Sequence, residues 1–266
     1  MGKNIPFIHN YCDRWCERCY FTASCAVFEN DKDDTEEQKD ITNKAFWDKI
    51  GDNFKKAMEM IVQGALKHGV DLRKIPKEEM EEIERQMEET KRLVKEDSLI
   101  NLCKEYTNEA RKIMENEAFW KQKAEEMILE EKMGTVPIEQ LEDQLDLIKE
   151  CKAVITWYLF FIQVKFQRAV SGLIKGYESE DEIQTDYNGS AKIALIAVYR
   201  SQQAWTQLFP LMPDEDCILP LLSLLSRIEK VGKEKFPMAN EFIRPGFDQG
   251  GRSTKTIPKD REWIPH

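Results

Sequence analysis

The sequence predicts an all-α fold: a multi-helix bundle around a long central apolar helix, preceded by a cysteine metal loop and followed by an irregular C-terminal tail. Three observations carry this expectation. From Ile41 onward apolar residues recur at spacings of three and four, the pattern of a helix with one buried stripe. Asn, Asp, Pro and Gly fall where helices start and stop. No strand-like alternation of useful length and no repeat at fixed period interrupts the pattern. The punctuation divides the chain into a cysteine loop and acidic connector over 1–40, a helical bundle over 41–236, and a tail over 237–266 that packs on the body.

The elements follow in order. The acidic run Glu29 to Asp40 reads as a solvated connector. Thr42 or Asn43 can cap a helix with the stripe Phe46, Ile50, Phe54, Ala57, Ile61 and Ala65, which Gly69 stops. Pro76 opens a second helix, with Glu78 and Glu79 near the positive end of its dipole and a stripe of Met80, Ile83, Met87, Thr90 and Val94. Asp97 or Ser98 can cap a third, or the helix can run through into Leu99, Leu102, Tyr106, Ala110 and Ile113. Gly134 and Pro137 then precede a long helix from about Ile138 to Lys175, whose middle, Ala153 to Phe166, is apolar on nearly every side and so expected to be surrounded by other helices. A polar loop over 176–189 leads to helices at Ser190 to about Phe209 and Asp216 to Lys235, with Pro220 early in the second. Beyond Pro237 the chain is rich in Pro and Gly but carries Phe242, Phe247 and Trp263, so it should be irregular and lie against the body.

Composition narrows the function classes. With 41% hydrophobic and 33% charged residues the chain is globular in class. A formal net charge of -10 argues against broad nucleic-acid binding, which needs a basic face to displace counterions. The N-terminus lacks the apolar core of a secretion signal, Pro6 replaces the Ser or Thr that myristoylation prefers, and no apolar run is long enough to span a bilayer. A cytoplasmic protein without membrane contact is expected, whose seven cysteines are reduced or metal-bound.

The strongest motif is C-x3-C-x2-C-x5-C, formed by Cys12, Cys16, Cys19 and Cys25. Thiolate sulfur is a soft ligand that selects zinc or iron–sulfur clusters over magnesium or calcium. Phe7, Tyr11, Trp15, Tyr20, Phe21 and Phe28 are candidates for excluding water, and Arg14 and Arg18 for offsetting the charge of a four-thiolate centre. Zinc is the alternative, with His9, Cys12, Cys16 and Cys19 as a second possible ligand set.

The last three cysteines, followed shortly by the aromatic Phe28, resemble the 4Fe-4S cluster loop of the endonuclease III family of DNA glycosylases. The resemblance spans Cys12 to about Phe28. That family spaces its first two cysteines more widely and carries the loop C-terminal to the glycosylase body; here the loop is N-terminal, and no glycine-bearing helix-hairpin-helix turn precedes a catalytic Asp. The resemblance therefore implies a 4Fe-4S cluster on Cys12, Cys16, Cys19 and Cys25, without implying glycosylase activity.

The remaining candidates are weaker. Cys103, Cys151 and Cys217 are dispersed and read as core residues. A di-iron site would need Glu-x-x-His pairs, and none of His9, His68 and His266 has Glu three residues before it. Walker, dinucleotide-binding, nucleophile-elbow and zinc-protease motifs are absent from the sequence, and Pro245-Gly246 reads as an ordinary turn. The expected function is thus an iron–sulfur protein acting in electron transfer, or as a redox-sensitive structural element, with a redox or protein partner. The alternatives are a helical interaction module with structural zinc, and an enzyme with a cluster beside a pocket in the bundle.

Overall fold

The computed structural model describes residues 4–176, 181–212 and 217–248. They form nine α-helices and, among the described residues, no strand. The helices are α1 (Ala26–Asp31), α2 (Glu36–Lys39), α3 (Lys44–Lys67), α4 (Lys77–Glu96), α5 (Ser98–Met114), α6 (Glu117–Met133), α7 (Ile138–Lys175), α8 (Asp186–Leu208) and α9 (Leu219–Lys235). None of them is long and apolar enough to cross a membrane. The all-α expectation holds.

The chain divides into two compact units. The first comprises residues up to His9 and Trp15–Glu89. Its acidic run is structured rather than a bare connector. Thr35 and Gln38 form a capping box that starts α2, each side chain bonded to the other's backbone N–H. Lys49 on α3 gathers Asp31, at 3.2 Å, and Asp34. Asn43 caps α3 by accepting the Ala45 N–H. After α3, Gly69 turns left-handed at φ 78° while the Val70 N–H returns to the Ala65 carbonyl, closing the helix as expected.

The second unit holds residues Asn10–Arg14 and the chain from Thr90 onward. Asp97 accepts the Leu99 N–H, so a fresh helix begins there instead of a continuous one. α7 packs most extensively on α8, and α5 bridges α7 and α9. The core between them contains Ile100, Cys103 and Tyr106 of α5, Ile155, Ile162 and Phe166 of α7, Trp205 of α8 and Leu225 of α9. Trp205 donates to the Tyr106 hydroxyl at 3.1 Å, and the Thr107 hydroxyl lies 3.0 Å from the Leu159 carbonyl across α5 and α7. Such buried polar atoms need partners, and here they have them.

Two details of this unit differ from expectation. The middle of α7 is not enclosed on every side, because Phe160 and Val164 face solvent while α8 is buried around most of its length. α8 also begins earlier than Ser190: the Thr185 hydroxyl accepts the Asn188 N–H and Asp186 sits in the first turn. That puts Gly189 inside a helix, where a Cβ would lie 2.4 Å from the Tyr11 ring and 2.7 Å from the Phe242 ring. Gly189 is present because two aromatic rings occupy its side-chain space.

Among the described residues beyond Pro237, Ala239 and Phe242 are buried, whereas Trp263 lies outside the described residues. The tail is fastened by Lys192, which is 8% exposed. Its ammonium donates to the Asn240 carbonyl at 3.2 Å, the Phe242 carbonyl at 2.6 Å and Asp248 at 2.9 Å. Burial alone would raise the Asp248 pKa, but hydrogen bonds from Arg244 and Lys192 outweigh it and pull the value from 3.8 to about 2.

The depressed pKa has a defined sign. Stability from the Asp248 carboxylate is fully present above its unfolded value and is lost as pH falls from about 4 through about 2. Denaturant titrations should therefore show Asp248→Asn less stable than the parent at neutral pH, with the gap closing across that window. An unchanging gap would refute the role of the charge. Gly189→Ala should cost about 1–3 kcal/mol by overpacking against the two rings, measured as a lower urea midpoint.

Candidate metal centre

Cys12 belongs to the helical unit, and its neighbours fasten the segment to α7 and α8. The Tyr11 ring lies 4.7 Å from Phe242, centroid to centroid, and its hydroxyl donates to Asp186 at 3.1 Å. Arg168 grips the same carboxylate through two nitrogens, giving the planar two-pronged pairing that favours Arg over Lys. Lys165 donates to the Asn10 carbonyl at 3.1 Å. At Asp13 the Trp157 indole donates to the backbone carbonyl at 3.0 Å, while the Tyr158 hydroxyl, at 2.8 Å, and Arg200 both donate to the carboxylate.

These contacts set the local electrostatics. Burial, then the Asp186 charge, pushes the Tyr11 hydroxyl up to about 12. Burial likewise raises the Cys12 thiol, opposed by the Arg14 backbone and by the Arg14 and Lys165 charges. Lys165 is lowered, first by burial and then by Arg168. Burial works against the Arg200 charge, yet Tyr158 and Asp13 outweigh it and hold the guanidinium above its ordinary value. The Arg14 and Lys165 charges beside Cys12 work against burial and favour its thiolate form.

The other three cysteines lie on short turns of the first unit. Cys16 begins a 3-10 turn, Cys16–Arg18, and the Cys19 N–H closes it on the Cys16 carbonyl at 3.2 Å. A 3-10 turn repeats every three residues, so Cys16 and Cys19 share one side of it. The Phe21 N–H donates to the Cys19 sulfur at 3.4 Å. Cys25 ends the next turn, Thr22–Ser24, and precedes α1. The Arg18 guanidinium lies 3.8 Å from the centre of the Trp15 ring. The aromatic shield is less complete than expected, since Tyr20 is 89% exposed and Phe7 is also exposed.

Phe7 and Arg14, at φ 61° and 62°, are the non-glycine residues with positive φ among those described. Such backbone conformations cost energy and concentrate at functional segments. Chemically, four thiols with His9 in the same stretch are a soft donor set that suits an iron–sulfur cluster or zinc. Geometrically, no group of three or more His, Cys, Asp or Glu side chains among the described residues is drawn together tightly enough to hold a metal ion.

Cys103 and Cys151 are fully buried, as core residues should be, and burial pushes the Cys151 thiol up to about 12. Cys217 is half-buried. Sequence reasoning missed the fastening residues Asp13, Tyr158, Lys165, Arg168, Asp186 and Arg200. One signal was available: Lys165 interrupts the apolar middle of α7, and a cation there needs an acceptor.

Asp13→Ala removes the carboxylate that Tyr158 and Arg200 both address. It should cost about 1–3 kcal/mol and raise the alkylation rate of Cys12, read by peptide mass spectrometry, while leaving Cys103 protected. Equal Cys12 reactivity in parent and variant would show that the fastening does not control the segment. No family model, curated protein or solved structure matches the chain, so its functional reading rests on the residues themselves.

Proposed function

We propose that the chain is an iron–sulfur protein whose Cys12, Cys16, Cys19 and Cys25 ligate a 4Fe-4S cluster, acting in electron transfer with a redox partner or as a redox-sensitive structural element. The observation that carries this reading is the placement of four soft donors within one short segment. When bound, such a cluster supplies one-electron chemistry at a potential set by burial, nearby charge and hydrogen bonds to sulfur. This chain's own residues supply those levers: the Phe21 N–H at the Cys19 sulfur, and the Lys165 and Arg14 charges acting on Cys12. A reducing cytoplasm is the setting this chemistry favours.

Ligation requires thiolates, so loading a metal must expel the thiol protons, and affinity should rise with pH. Protein purified without oxygen should be brown and contain iron and acid-labile sulfide in equal amounts. Cys25→Ser should remove both, and Cys103→Ser should retain them. Stripping the metal should sensitise the segment around residues 12–25 to protease. A colourless protein holding one equivalent of zinc, with neither iron nor sulfide, would overturn the cluster. Retention of that zinc by Cys25→Ser together with its loss on His9→Ala would identify the His9, Cys12, Cys16 and Cys19 set.

A further inference from the structure

A single turn of the first unit brings two cysteines together. The Cys19 N–H closes on the Cys16 carbonyl at 3.2 Å. A 3-10 turn rises about 2 Å per residue and eclipses side chains three apart, so the two Cα atoms stand about 6 Å from each other on one side of it. Disulfides join Cα atoms about 4.4–6.8 Å apart, and the backbone of this turn already meets that requirement. Cys25 ends a separate turn and Cys12 lies in the other compact unit, so the same argument selects no other pair. Cys16 and Cys19 are half-buried between the exposed Glu17 and Tyr20, which leaves a small reagent a way to the sulfurs.

We propose that Cys16 and Cys19 are a reversible dithiol–disulfide couple whose oxidant is a low-molecular-weight disulfide. The inference needs two sulfurs and stands apart from the metal reading. The bond closes a loop of four residues, and the stabilisation a disulfide gives grows with loop length, so this one opens and closes rather than acting as a permanent staple.

The Phe21 N–H at the Cys19 sulfur, 3.4 Å away, assigns the roles. When the disulfide is reduced, negative charge develops on the departing sulfur, and a hydrogen bond there makes Cys19 the better leaving group. Oxidation is the reverse. The Cys16 thiolate attacks one sulfur of the small disulfide, which releases one small thiolate and leaves the other half on Cys16. Cys19 then attacks the Cys16 sulfur, the Cys16–Cys19 bond forms and the second small thiol departs. Two protein thiols lose two electrons and two protons, and the oxidant takes up both as two thiols.

The test uses the full-length chain, stripped by chelator and shown by metal analysis to hold neither iron nor zinc, so that failure belongs to the pair and not to the metal reading. It is equilibrated without oxygen at stepped ratios of glutathione disulfide to glutathione, quenched in acid and read by peptide mass spectrometry. Cys16 and Cys19 should pass together from thiols to one disulfide that dithiothreitol reopens, while Cys103 and Cys151 remain thiols. At the same ratio Cys19→Ser should hold glutathione on Cys16, and Cys16→Ser should hold at least tenfold less on Cys19. Thiols that persist at both positions under excess glutathione disulfide overturn the proposal, as does a bond from either one to Cys12 or Cys25. Equal glutathione on the two variants overturns the assignment of roles.

Discussion

Close approach of three helices is the constraint on which the helical unit depends. A Cβ on Gly172 of α7 would lie 3.1 Å from the Tyr187 side chain of α8, and one on Gly232 of α9 would lie 3.0 Å from the Phe166 ring of α7. Glycine at these points lets the backbones come near enough for side chains to interlock without voids, at some cost in helix propensity. The same approach aligns one side of α7, bearing Tyr158, Lys165 and Arg168, with Asp186 and Arg200 on α8. Polar fastening of the Asn10–Arg14 segment is therefore a consequence of apolar packing. Loosening the helices would misplace the acceptors and donors together.

The buried Lys192–Asp248 pair belongs to the same logic. Taking two charges out of water costs several kcal/mol each, so such a pair adds little net stability unless its remaining hydrogen-bonding capacity is used. Here the ammonium also reaches two backbone carbonyls, and Arg244 completes the carboxylate. What the network supplies is definition. A segment without regular structure has no ladder of its own hydrogen bonds to fix its path, and Lys192 ties its carbonyls at residues 240 and 242 to one place on α8. That path holds Phe242 against Tyr11 over Gly189, so the tail and the cysteine-bearing segment share one support.

Most of the fold was legible because its signals are local. Asn43, Asp97 and the glycines at 69, 134 and 176 act within a few residues, and the helices begin or end where they stand. The capping box of Thr35 and Gln38 was equally local, but the high charge around it favoured reading the run as solvated. Gly189 was misleading for the opposite reason. In sequence it belongs with the polar loop before it, and only the rings of Tyr11 and Phe242, distant along the chain, explain a glycine inside a helix. The fastening of Asp13 by Tyr158 and Arg200 was illegible on the same grounds: each residue is unremarkable in its own neighbourhood, and their association depends on how α7 and α8 pack.

The cysteines were legible as residues, while their arrangement was not. Cys16, Cys19 and Cys25 stand on short turns, tied also by the Phe21 N–H at the Cys19 sulfur and by the Ile5 N–H at the Ser24 carbonyl, contacts that residue spacing along the chain does not reveal. Cys12 differs, because the bonds on either side of it are made to side chains of a packed helical unit. A soft metal at these thiolates would add bonds worth far more than the turns provide, starting from one ligand whose backbone is already fixed. Arg14, immediately after the fastened Asp13, turns left-handed at φ 62°, a conformation that a non-glycine residue keeps only where its surroundings hold it.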